Sequence, residues 1–139
     1  PGFFMANRAE TMTVKELNTY LRSLVQVEEP SVDKIIIGDP DTAIRKIGTA
    51  WMPYWATLKE AHAQGVNAMV VHEPTFYTHR DLEETQWDWH AAPARGKEMY
   101  RKQVEAKKHW ILENGIAVIR CHDVLDKIKG CIQGNHLVM

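Results

Sequence analysis

Two short apolar runs, each stopped abruptly by a histidine and carboxylates, constrain this chain more than any other feature. The first is Ala68-Met69-Val70-Val71, followed by His72-Glu73-Pro74. The second is Ile116-Ala117-Val118-Ile119, followed by Arg120-Cys121-His122-Asp123, with Asp126 four residues beyond His122. An uncharged run of this length, bounded by turn residues, reads as a strand buried on both faces, as parallel sheets require. Pro74 has no N–H to give to a ladder, so the first run cannot continue through it. In open α/β sheets, ligands bind beyond the carboxyl ends of the strands. Both runs therefore end in acid–base or metal-binding side chains at a place where binding is expected.

The remainder of the chain fits around these strands. Thr13-Val14-Lys15-Glu16 is a capping box, and Val14, Leu17, Leu21 and Leu24 follow at helical spacing with Tyr20 alongside. Residues 34–41 read as an extended segment closed by a Gly-Asp-Pro turn, in which Asp39 and Asp41 serve the turn more readily than chemistry. A strand is expected over 44–51, with Gly48 allowing close backbone approach, and a helix over 55–64, with Leu58 and Ala61 inward and His62 in solvent. The longest helix is expected over 96–114, burying Met99, Tyr100, Val104, Trp110 and Ile111, before Asn114-Gly115 stops it. A strand over 116–121 and a helix from Asp123, with Asp123 as its N-cap, complete the pattern. Strands alternating with helices give an α/β fold: a mostly parallel sheet flanked by helices. Between them lies a long polar segment, 77–95, bearing Trp87 and Trp89. Such a loop forms a lid or aromatic wall over a site, or an insertion that docks on a partner subunit.

At 139 residues and 45% hydrophobic content the chain suits one domain with a real core. Residues 1–12 read as an extension or expression remnant, with Met5 or Met12 as the native start, and 13–139 as a single domain. A net charge of −1 leaves no footprint for nucleic acid or an anionic membrane. No apolar run approaches ~18 residues, and the start lacks the pattern of a secretory signal. Two cysteines, Cys121 and Cys131, argue for a reducing compartment rather than a disulfide framework, so a cytoplasmic location is expected. Cys121 is a poor nucleophile for His122, since adjacent strand residues point to opposite faces.

His72, Glu73, His122 and Asp126 together offer two imidazoles and two carboxylates, with His79 a further candidate from the loop. Mixed nitrogen and oxygen donors suit zinc, manganese or iron, whereas magnesium and calcium prefer oxygen alone. A helix starting near Asp123 brings His122 and Asp126 to one side. One divalent ion with an open position, or two bridged by a carboxylate, could activate water against a small-molecule substrate. The same residue types also serve as hydrogen-bonded caps and turn formers. No nucleophile elbow, phosphate loop or Ser/His/Asp signature is present.

At these residues the sequence resembles the Nif-three-like dinuclear-metal proteins, often labelled GTP cyclohydrolase type 2 homologues. The likeness runs through Met12-Thr13-Val14-Lys15-Glu16-Leu17, Gly38-Asp39-Pro40, Val71-His72-Glu73-Pro74 and His122-Asp123-Val124-Leu125-Asp126. In that family a His-His-Pro motif after a strand binds metal, and an aspartate in a later His-x-x-x-Asp segment bridges two ions. The resemblance implies that His72 matches the first histidine, that Glu73 replaces the second, and that Asp126 matches the bridging aspartate. The family's site is completed by a histidine and a glutamate near the C-terminus of a longer chain. Here His136 has no glutamate after it, so the chain resembles a short or truncated His-Glu-Pro variant. The resemblance implies a homo-oligomer, and either hydrolysis of a nucleotide-like or phosphate-containing molecule or a non-catalytic metal-binding role.

Overall fold

The two buried runs pair with each other, side by side and pointing the same way. The computed structural model describes residues 11–83 and 93–131. In chain order its elements are α1 (Val14–Ser23), β1 (Lys34–Ile37), β2 (Ile47–Ala50), α2 (Trp55–Ala63), β3 (Ala68–Val71), α3 (Ala94–Glu113), β4 (Ala117–Arg120) and α4 (Asp123–Lys127). The strands form one sheet in the order β1-β4-β3-β2. β2, β3 and β4 are parallel, and β3 and β4 are in register, with Val71 opposite Arg120. The mostly parallel α/β sheet is thus as the sequence indicates.

β1 is the exception, an edge strand antiparallel to β4 with a register shift between Ile35 and Ile37. Its sense follows from its connection. Parallel strands need a long crossover, and residues 38–46 contain no helix to make one. The chain instead turns at one end of the sheet and crosses to β2 on the far edge. Gly38, at a φ of +106°, starts this crossing against β4: a Cβ there would lie 2.6 Å from the Cα of Ala117. The expected strand over 44–51 is correspondingly shorter, and Ile44 joins the core from the connector.

Helices cover both faces of the sheet. Leu58 of α2 and Val104 and Ile111 of α3 pack with Met69, Val71 and Val118 on one face. Val14 and Leu17 of α1 pack with Ala68, Ala117 and Ile119 on the other. α1 starts where expected: Thr13 N–H donates to Glu16 Oε2 at 2.8 Å and Glu16 N–H to Thr13 Oγ1 at 3.2 Å. It buries less than expected, because Leu24 is already the C-cap and is exposed, as is Tyr20. On α3 the buried positions are Val104, Lys107 and Ile111, while Met99 is exposed. The tryptophan-bearing stretch 84–92, residues 1–10 and the tail with His136 lie outside the described residues.

Candidate metal centre

Two parallel strands in register release the chain at the same end of the sheet, so His72 after β3 emerges beside Cys121 and His122 after β4. α4 begins at once, and Asp126 N–H donates to His122 O at 3.0 Å. His72 Nε2 lies 3.0 Å from Asp126 Oδ1, and His122 Nδ1 lies 3.6 Å from Asp126 Oδ2. The two imidazole centres are 4.3 Å apart. One donor atom from each of His72, His122 and Asp126 falls within a span of 4.8 Å. His72 is buried, while the side chains of His122 and Asp126 keep 23% and 19% exposure. The group is therefore partly open to solvent through His122 and Asp126.

Carboxylates also fix the rings. His72 Nδ1 lies 2.9 Å from Glu73 Oε1 and His122 Nδ1 lies 3.0 Å from Asp123 Oδ1, while His72 Nε2 faces Asp126 Oδ1. A carboxylate accepts only, so with the proton on Nδ1 each ring donates to its neighbouring carboxylate and turns Nε2 to a metal, an arrangement that commonly orients histidine ligands. The Trp51 indole stacks on His72 at 3.8 Å with the planes 10° apart, which blocks ring rotation. An ion bonded at ~2.0–2.1 Å holds neighbouring donors roughly 3 Å apart. The 3.0 Å between His72 Nε2 and Asp126 Oδ1 meets that, and the third donor, from His122, lies within 4.8 Å of both. Two imidazoles and a carboxylate suit borderline divalent ions, so the residues present fit such an ion.

The other residues singled out in the sequence take different positions. Glu73 is on the His72 ring rather than among the three clustered donors. His79 is exposed, with its ring 6.2 Å from that of His122 and perpendicular to it. Asp41 N–H donates to Asp39 Oδ1 at 2.9 Å, the turn role the sequence indicates. Cys121 is buried, and burial pushes its thiol up to about 11, which makes it a poor nucleophile.

Asp123 is not the N-cap of α4. His122 holds that position, and Asp123, one residue inside the helix, cannot reach the first-turn N–H groups. Asp33 caps the helix from before β1. Its carboxylate accepts from His122 N at 2.7 Å, Asp123 N at 3.0 Å and Val124 N at 2.8 Å. Asp123 instead takes the Ser31 hydroxyl at 2.7 Å. Burial pushes the Asp123 carboxyl up, but hydrogen bonds from Ser31, His122 and Val32 outweigh it and hold the group below the usual range.

Sequence reading also missed the buried charges under the site. Arg120 is fully buried with Asp81 at 3.2 Å, and Lys107 donates to Pro53 O at 2.8 Å and Thr75 O at 2.7 Å. Burial lowers the Lys107 ammonium to about 8, with Asp81 opposing the shift. Burial likewise raises Asp81, against the N–H groups of Phe76 and Thr75 and the charge of Arg120. One signal was available for Lys107, which lies three residues after Val104 and four before Ile111 on the apolar stripe.

With fold and site in view, the class is an α/β protein with a candidate metal centre at the carboxyl rim of its sheet. Solved structures share this fold. A Bacillus cereus protein related to NIF3 superposes with a TM-score of 0.58 at 18% identity, over 87% of this chain and 30% of its own. Reduced HcgD from Methanocaldococcus jannaschii gives 0.57 at 21%, over 91% and 46%. The Staphylococcus aureus protein SA1388 gives 0.52 at 21%, over 84% and 30%. The fold is NIF3-like, and the chain spans about a third to a half of the length of these structures. No protein-family model and no curated protein sequence matches it.

Proposed function

We propose that this chain binds one divalent transition-metal ion through His72, His122 and Asp126 and uses it to hydrolyse a small molecule. The observation that carries this reading is the convergence of the three donors within 4.8 Å, with two of them reaching solvent. Three protein ligands with an open position are the usual form of a catalytic rather than a structural site. Once bound, such an ion polarises a substrate oxygen and acidifies water near neutral pH. The chain's own residues do the rest. Glu73 and Asp123 keep the protons of His72 and His122 on Nδ1, and Trp51 screens one face of His72.

A cleft of 530 Å³ opens beside Asp126, lined in part by Glu28, Glu29, Asp123 and Lys127. Its carboxylates outnumber its one cation, which favours a neutral or cationic substrate part there. A phosphate-containing substrate would have to place its anionic end at the metal. A second reading is a metal-binding protein without hydrolytic activity, since the three donors alone fix an ion and nothing more. The three clustered donors suffice for one ion; a second would draw on Glu73 or His79. Elemental analysis of protein purified without chelator is expected to give about one zinc, manganese or iron per chain. His72→Ala is expected to abolish the metal and any hydrolytic turnover. Metal bound with no His72-dependent turnover would favour the second reading, and a metal-free wild type would end both.

A further inference from the structure

Residues 72–83, which follow β3 and carry His72, Glu73 and His79, form no helix or strand, so their backbone groups must find partners elsewhere. Side chains from α3 and β4 supply them. Tyr100 donates to Phe76 O, and Lys107 to Thr75 O. Arg120 grips the segment at two points. Its Nε donates to His72 O at 3.1 Å, and its Nη1 donates to both His79 O and Asp81 Oδ2. Asp81 folds the segment back, its Oδ1 accepting from Thr75 N at 2.6 Å and Phe76 N at 3.0 Å.

This arrangement is costly. Arg120 ends a strand that is otherwise apolar up to it, its side chain is fully buried, and its Nη2 has no partner among the described residues. A buried ion pair is a poor source of stability compared with an apolar residue of similar volume, and an unmet donor adds to the cost. Its planar fork does what an apolar side chain cannot: it ties the carbonyl of one histidine to the carbonyl of another, seven residues on. We propose that Arg120, with Asp81, is a positioning residue that holds the segment from His72 to His79 so that the His72 ring is aimed at the metal centre. The affinity part rests on the metal reading above; the aim of the ring does not.

The test uses the full chain, the wild type against Arg120→Lys, with Co(II) titration and imidazole ¹H–¹⁵N spectra of the metal-free protein. The expected result is a Co(II) affinity lowered about 10–100-fold, as for partners that orient ligands, with moved His72 resonances and an unchanged circular dichroism spectrum. Where Arg120→Lys does not fold, Arg120→Gln with Asp81→Asn removes both charges together, leaves neither unpaired, and is read the same way. A folded variant with wild-type affinity and wild-type His72 resonances overturns the proposal, as does a loss of thermal stability that leaves both unchanged. Failure of both variants to fold overturns it too, since the role is then structural. If the wild type takes up no Co(II), the metal reading falls and the His72 resonances decide alone.

Discussion

His72 has little freedom: Trp51 covers a face of its ring, and Glu73 and Asp126 hold its two nitrogens. The contact with Glu73 makes a distinction that metal content alone cannot. As an orienting group its replacement in Glu73→Gln lowers zinc affinity about 10–100-fold without abolishing binding, measured by isothermal titration calorimetry. Complete loss would make it a direct ligand. Lys107 gives a second check, through pH. It titrates at about 8 in the fold and near its ordinary 10.5 in the unfolded chain. Between those values the unfolded chain binds more protons, so this group makes stability rise with pH from about 8 to about 10.5. Urea unfolding across that range is expected to show the rise in the wild type and a flatter profile in Lys107→Met.

Among the elements, α4 is capped by a residue distant in the chain, Asp33. Asp33→Ala would strand three first-turn N–H groups and is expected to cost about 2 kcal/mol in urea unfolding, with metal affinity falling as His122 and Asp126 move. Legibility in the sequence follows the same division. The cap of α1 could be read because Thr13 and Glu16 lie three residues apart, within any local window. The strands were legible because Ala68–Val71 and the run ending at Ile119 are short, apolar and bounded, and the donors because they follow those ends directly. Asp33 reaches α4 across 89 residues, and Arg120 reaches His72 across 48, so no spacing rule announces either. The expected cap at Asp123 went to Asp33 for that reason. The antiparallel sense of β1 was hidden similarly, in a connector whose path depends on its fit against Ala117.

At the scale of the whole molecule, a ligand that binds only the folded chain stabilises it in proportion to the logarithm of its concentration. The donors come from both sides of the β3–β4 pair, so they are assembled only when the sheet is complete. Zinc at a hundredfold excess over its dissociation constant is expected to add about 2.7 kcal/mol. For a domain of this size that is roughly a 10 °C rise in thermal midpoint. A chelator should reverse it, and His122→Ala should show none of it.

β3 and β4 are buried along nearly their whole length, while every donor lies past their last residues. Chemistry and durability thus occupy different letters of the sequence. A lineage carrying this scaffold could exchange one ligand for another at the rim, retuning which ion it prefers, without disturbing the slab that keeps it folded.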